Sequence, residues 1–401
     1  MERGRRLLPQ RDARPSAHRR GAGARRGRGA GHRAVVRLSG PPARPRSAQR
    51  ARLDRAGRPQ AVRGGRAVRV GAPVAASGRY AVQGEQVRAG LEMWAHRTGA
   101  DLVLEDDRSD PDRSARLHAR LSRRCDLVLG PYGGDCARAV ARAAAGVVWN
   151  HGAAADDVQA MPNVVSVSSP ASRYLATLAC AVATLRPRAA LALALGPGRF
   201  ARFAREGLER AAPRLGLSLA ARFSLGDPPH RIAQAGAGAV LACGPLERET
   251  AFLSELRALV PEALLGGVAP GVTAFGELLG VDPEGMLAPV QWHPDQRLAV
   301  KLGPTGATVL ADAHAAGLGE LDYVAAQAYA SALVAARCLE LAPEDPLAAA
   351  RRLQTTTFFG AFGLDPLTGR QREHQMAVIR WQAGRRDLIH TASSVNLHPE
   401  S

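Results

Sequence analysis

The residues able to do chemistry are few and scattered along the chain. The five cysteines, Cys125, Cys136, Cys180, Cys243 and Cys338, show no CxxC spacing. That spacing argues against a zinc or dithiol redox centre and for buried free thiols. No two of the eleven histidines stand four apart or in a run, so no helix-borne metal pair is prepared. The nucleophile elbow G-x-S-x-G, the phosphate loop G-x-x-x-x-G-K-[ST] and the zinc motif H-E-x-x-H are all missing from the sequence. Asp106-Asp107 and Asp156-Asp157 are acidic pairs, but neighbouring side chains diverge. They read as a turn and a helix N-cap rather than as an acid/base dyad. No catalytic residue, cofactor or metal is expected, and an enzyme is the weakest of the functional readings.

Two loops carry more information. Gly130-Pro131-Tyr132-Gly133-Gly134-Asp135-Cys136 leaves a strand and opens a helix. Unpaired N–H groups at 134–136, aided by the helix dipole, are suited to a carboxylate or another anion. An ordinary βα turn reads equally well from loop chemistry alone. Cys136 at a helix start invites a lowered thiol pKa, although no histidine neighbours it in sequence. Asn150-His151-Gly152-Ala153 also follows a strand, and Gly152 again offers open backbone; His151 reads first as a structural, hydrogen-bonded group.

These loops need a scaffold, and the pattern from Val68 onward supplies one. Strands are predicted at 68–74, 101–105, 126–129 and 147–149, with intervening helices that end near His96, Arg124 and Ala145. Val87, Leu91 and Trp94 mark the inner face of the first helix. A second series follows, with strands at 189–195, 217–223, 239–242 and 264–267, a helix bearing Phe200, Phe203, Ala204 and Leu208, and a long helical stretch over 321–341. Short strands near 359–362, 376–381 and 387–390 close the chain. Strict alternation of strand and helix implies an α/β fold of two Rossmann-like lobes, each a parallel sheet flanked by helices, with a cleft between them. Ligands of such sheets bind at the carboxyl ends of the strands, which directs attention to 76–84, 130–136 and 149–154.

The net charge of +18 first looks like that of a nucleic-acid binder. Residues 1–66 hold twenty arginines against Glu2, Asp12 and Asp54, and the other 335 residues carry a net charge of only +1. That leader is built from Arg, Gly, Ala and Pro, cannot bury enough apolar surface to order itself, and interleaves no aromatics for base stacking. It is expected to be disordered and, of a nucleic-acid arm, an Arg-rich transit peptide and a start placed too far upstream, it is read as a non-functional or misassigned extension. Lys301 is the only lysine, a bias that points to GC-rich coding. No run reaches the length of a membrane span, and no secretory signal peptide is visible.

Six segments in order give the chain a family likeness. They are Gly71-Ala-Pro-Val74 with Ser77-Gly78, then Gly84 through Glu92, Glu105 through Pro111, Leu129-Gly-Pro-Tyr132, Gly363-Leu-Asp-Pro-Leu-Thr-Gly369, and Ile379-Arg-Trp-Gln-Ala-Gly384. Across 68–390 the chain resembles the leucine/isoleucine/valine-type substrate-binding proteins of ABC importers, the type 1 periplasmic binding proteins. The resemblance implies a first lobe over 67–186, a second over 187–315, a helix returning toward the first over 316–345, and a closing helix, terminal strands and hinge crossovers over 346–401. It also implies an amino-acid-like ligand held by Gly134, Asp135 and Cys136 and by His151, Gly152 and Ala153, with Gln83 as a side wall and Phe200 near an aromatic position of the second lobe. The partner would be a membrane permease, with no nucleic acid involved, and the location extracytoplasmic.

This sequence departs from the family pattern in ways that bear on the ligand. Hydroxyl residues are usual where Gly134, Asp135 and Cys136 stand, and an Asp135 carboxylate repels an anionic ligand unless it points away. No acidic residue for an amine stands in Gly267-Val-Ala-Pro-Gly271. Ser109 replaces a cysteine that some relatives pair. A cytoplasmic ligand sensor built on the same fold is the alternative function.

Overall fold

The computed structural model describes residues 62–63, 66–280 and 282–391. The expectations for the leader lie outside the described residues, apart from a short antiparallel pairing of Val62–Arg63 with Arg66–Ala67.

The first series runs β1 (Arg69–Val74), α1 (Ala81–Thr98), β2 (Asp101–Asp106), α2 (Pro111–Leu121), β3 (Leu127–Val128), α3 (Gly134–Ala143), β4 (Val148–Asn150), α4 (Asp156–Gln159) and β5 (Val164–Ser166). β1 is buried on both faces beyond its first residue, the expected state of an inner strand in a helix-covered parallel sheet. Asp110 accepts a 2.6 Å hydrogen bond from the Arg113 N–H and Pro111 takes the first helical position, so α2 starts as its sequence predicts. All pairings are parallel, and a bridge from Leu129 to Trp149 joins the two parts of the sheet. The resulting order is β2-β1-β3-β4-β5.

The second series contains α5 (Tyr174–Leu185), β6 (Ala190–Leu195), α6 (Arg199–Arg214), β7 (Ser218–Ser224), α7 (Pro229–Gln234), β8 (Ala239–Cys243), α8 (Leu246–Leu259), β9 (Leu264–Gly267), α9 (Ala274–Leu279) and β10 (Leu287–Val290). Its parallel strands take the order β7-β6-β8-β9-β10, the same topology as the first sheet. Then come α10 (Gly306–Ala315), α11 (Tyr323–Leu341), α12 (Pro346–Arg352), the hairpin β11 (Thr355–Thr357) and β12 (Gly360–Phe362), and the antiparallel pair β13 (Ala377–Gln382) and β14 (Arg385–Thr391), which extends the second sheet beside β10. The strand β10 is not prominent in the sequence because Pro289 interrupts its apolar run.

Packing moves two of the expected boundaries. α5 lies against α6 and the strands of the second sheet, so the first crossover falls at 167–170 rather than at 186–187. The return to the first lobe begins with α10, earlier than residue 316, because Asp312 of α10 accepts a 2.8 Å hydrogen bond from Arg97 of α1. α11 packs along α1 and is apolar nearly all round because nearly all of it is buried. Three crossovers are tied together in the interior. The Gln291 side chain accepts from the Ser169 N–H at 2.9 Å and donates to the Ser169 carbonyl at 3.0 Å, while the Ser169 hydroxyl and Arg173 both donate to the His374 carbonyl. Burial lowers the His374 pKa to about 3, so its imidazole is neutral within this network.

Candidate ligand-binding site

A cavity of about 340 Å³ opens at the carboxyl ends of the strands, where the strand order reverses in each sheet. Its first wall comes from the loops after β1 (Arg79, Tyr80, Gln83), β3 (Tyr132 to Asp135) and β4 (Gly152, Ala154, Ala155). Its second wall comes from the loops after β6 (Pro197 to Ala201), β8 (Gly244 to Glu247) and β9 (Val268, Ala269, Val272), and Tyr323 and Gln327 of α11 add a further side. Two parallel sheets of equal topology thus present corresponding loops to one space.

The first wall is shaped by neutral side chains. Asn150, fully buried at the end of β4, accepts from the N–H groups of Gly152 and Ala153 at 3.1 and 2.8 Å and donates to the Ala153 carbonyl and the Ser166 hydroxyl at 2.7 Å each. The loop so fixed passes directly beneath the Tyr132 ring: a Cβ at Gly152 would lie 2.2 Å from that ring, so only glycine fits. Tyr132 and Tyr80 meet edge-to-face with centroids 5.5 Å apart, and Tyr174 and Phe200 do so at 4.9 Å. Burial raises the phenol pKa of Tyr132, Tyr174 and Tyr323, which keeps these tyrosines neutral hydrogen-bonding groups. Gln83 Oε1 and Ser168 Oγ are buried beside the cavity without a protein partner.

The second wall depends on one carboxyl group. Glu249 of α8 is fully buried and accepts from the Gly244 N–H at 2.8 Å and the Ala269 N–H at 2.7 Å, joining two of the three loops that line this side. Burial pushes its carboxyl up to about 8, against the opposing effect of the backbone donors.

Charge is concentrated at the rim. Asp135 points to Arg79, with 3.1 Å between carboxylate and guanidinium, and the Arg79 guanidinium also lies 4.6 Å over the Tyr80 ring. Asp157 accepts both arms of Arg138, at 2.8 and 3.0 Å, and Arg199 at 2.6 Å. Burial works against ionisation of Asp157, but the two guanidiniums outweigh it and hold the carboxyl below its usual range. Arg199 opens α6 in the second lobe and Asp157 lies on α4 in the first, so this ion pair spans the lobes. The first turns of α3, α6 and α8 all contribute lining residues, and helix N-termini favour an anion.

Of the residues expected from sequence, Gln83, Gly134, Asp135, Gly152 and Phe200 line the cavity. The side chains of Cys136, His151 and Ala153 do not. Cys136 is fully buried on the side of Ser114 and Asp107, and burial raises its thiol pKa instead of the helix start lowering it. His151 is buried against Gly130 with its pKa lowered to about 4 by desolvation, and Ala153 is turned inward by the Asn150 bonds. Asp156 does not cap α4; it accepts from the N–H and hydroxyl of Ser172 instead. Sequence reasoning missed Arg79, Tyr80, Tyr174, Arg199, Tyr323 and Gln327. A signal existed, because the chain has only five tyrosines and four of them line this one cavity. Among the described residues no cluster of His, Cys, Asp and Glu is arranged to hold a metal ion, and no helix is long and apolar enough to cross a membrane.

Two lobes of matching topology with a cleft at both switch points define a solute-binding architecture. The sequence profile of the periplasmic binding protein family matches residues 67–386, and the chain belongs to that family. No curated protein sequence matches the chain. Solved structures with the same fold include a solute-binding protein of an R. palustris ABC transporter in complex with 4-hydroxybenzoate, at 19% identity and a TM-score of 0.67, covering 81% of this chain and 97% of that one. A leucine-binding protein from Thermotoga maritima aligns at 17% identity with a TM-score of 0.69, covering 81% and 98%. A branched-chain amino acid transporter substrate-binding protein from Streptococcus pneumoniae, in complex with isoleucine, aligns at 12% identity with a TM-score of 0.67, covering 81% and 99%.

Proposed function

We propose that this protein is the extracytoplasmic capture component of an ABC importer, closing two lobes on a small carboxylate and presenting it to a membrane permease. The observation that carries this reading is the cavity lined from both lobes at corresponding loops: a ligand there contacts both walls only when the lobes are together, so it shifts the population toward the closed form. For the ligand, the surroundings favour a planar aromatic carboxylate over an α-amino acid. Tyr80, Tyr132, Tyr174, Phe200 and Tyr323 supply ring faces and edges, and three helix starts supply positive potential, while Arg79, Arg138 and Arg199 share the two carboxylates of Asp135 and Asp157 at the rim. An ammonium group finds little to pair with. Asp135 is bound to Arg79, the loop after β9 has no acid, and Glu247 is exposed at the mouth. The R. palustris neighbour with 4-hydroxybenzoate supports the class, and Gln83 Oε1 offers an acceptor for a ring hydroxyl.

The test is a thermal-shift and calorimetric comparison of 4-hydroxybenzoate, benzoate, leucine and isoleucine with the full chain. A ligand at 100 times its dissociation constant stabilises by roughly 2.7 kcal/mol. Stabilisation by the benzoates and not by the amino acids is expected. Stabilisation by leucine alone overturns the ligand class, and no binding by any small carboxylate overturns the site.

A further inference from the structure

A second cavity, about 740 Å³ in volume, lies away from the cleft, between the α5–α6 pair and the loop at 365–373. Five arginines line it, Arg173, Arg210, Arg214, Arg370 and Arg372, against two acids, Asp365 and Glu373. Arg370 is partly neutralised by Asp156 at 3.3 Å, and Arg372 by Glu373 at 3.0 Å. The Asp365 carboxylate is used within its own turn, accepting from the N–H groups of Leu367 and Thr368. Among the described residues Arg173, Arg210 and Arg214 form no ion pair, and the Arg173 side chain donates one hydrogen bond, to the His374 carbonyl at 3.0 Å.

Their convergence is built into the fold. Arg210 and Arg214 stand one turn apart on the same face of α6. Gly207 lets that helix sit directly on the carbonyl of Ser172, where any Cβ would come within 1.7 Å, and this brings the face against the segment bearing Arg173. A concave surface lined by one sign of charge focuses its field and concentrates counter-ions. Guanidinium forks match carboxylate and phosphate oxygens two at a time.

We propose that this groove is a second ligand site, selective for a multivalent oxyanion that bridges α6 to the 370–373 segment. It is separate from the solute cleft, shares no lining residue with it, and does not depend on the identity of the transported solute.

Calorimetry of the full chain with inorganic pyrophosphate and with citrate, at fixed ionic strength set by chloride, tests it. The parent is compared with Arg210→Ala/Arg214→Ala and with Arg116→Ala/Arg123→Ala. The second double variant removes the same charge from exposed arginines elsewhere, and the arginine-rich residues 1–66 contribute equally to all three proteins. A saturable one-to-one phase that weakens about ten-fold or more in the first variant and not in the second is expected. Tighter binding of one anion than the other tells a phosphate site from a carboxylate site. Equal loss in both variants, no loss in either, or no saturable phase in the parent each overturns the proposal.

Discussion

The two walls of the cleft are built on the same strand order but are held in place by different chemistry. The first wall is fixed at its inner loop by a neutral amide, since Asn150 holds the chain beneath Tyr132. The second wall is mostly backbone and apolar surface, and its two inner loops meet at the single carboxyl of Glu249. The Asn150 amide is indifferent to pH, whereas the carboxyl that joins the inner loops of the second wall is not. On the proposed function, this difference predicts that the first wall carries more of the recognition of ring and anion and that the second closes over the ligand.

The largest expected effect tests that difference directly. Glu249 has a folded pKa of about 8, raised by burial above its ordinary 4.5. A raised carboxyl pKa stabilises the fold below the unfolded value, and that contribution is lost as pH rises through the folded one. Between about pH 5 and 8 the contribution falls by roughly 1.4 kcal/mol per pH unit. Glu249→Gln, uncharged throughout, removes this slope, so urea unfolding at pH 5, 6, 7 and 8 should give a flatter profile than the parent. His118 and His151, lowered to about 4 by burial, act in the opposite sense. Their stabilisation is present above about pH 6.5 and is lost toward pH 4 in both proteins. Parallel profiles for parent and variant would show that Glu249 titrates normally and that the two walls are alike.

Much of the scaffold was legible in the sequence because strand and helix periods are local properties. The strands β1, β2, β6, β8 and β9 begin and end within about two residues of the sequence reading, since each is a compact apolar run bounded by turn residues. The crossover between lobes was not legible. α5 is apolar on every side, so its pattern cannot say which sheet it covers, and only the packing against α6 and β10 decides. At the cavity, the loops at the strand ends were legible because loop position follows from topology, whereas Phe200 was expected only from the family resemblance. His151 and Cys136 lie in the right loops with their side chains turned inward, a distinction of one residue in register that composition does not encode. Tyr174, Tyr323 and Gln327 reach the cavity from helices remote in sequence, and no local spacing marks them.

A smaller effect sharpens the assignment of recognition to the first wall. Gly134 begins α3 and faces the cavity, and a Cβ there would meet only Ala155 Cβ, at an ordinary 3.8 Å. Gly134→Val is therefore tolerated by the fold while its branched side chain occupies space over the first N–H groups of the helix. Affinity for the carboxylate ligand should fall by about 2 kcal/mol or more, as for a lost charge-assisted bond. The thermal midpoint without ligand should stay close to the parent's. An unchanged affinity places the ligand's charge on the second wall and reverses the comparison.

The smallest expected effect concerns an ion pair that joins the walls. Arg199 and Asp157 approach to 2.6 Å across the cleft, but half of the Arg199 side chain is exposed, so solvent and salt screen the attraction. Asp157 also keeps both hydrogen bonds from Arg138 when Arg199 is removed, so no carboxylate is left unpaired in the first lobe. Arg199→Ala should weaken ligand binding by only about 0.5–1 kcal/mol at low salt, and the difference should vanish near 1 M salt, where the Debye length is about 3 Å. Because the pair links the two lobes, its loss should appear as faster ligand release with an unchanged association rate. Stopped-flow kinetics at two salt concentrations separate these terms. If the association rate falls instead, Arg199 acts by steering the anion into the open cleft, and the second wall then takes part in capture as well as in closure.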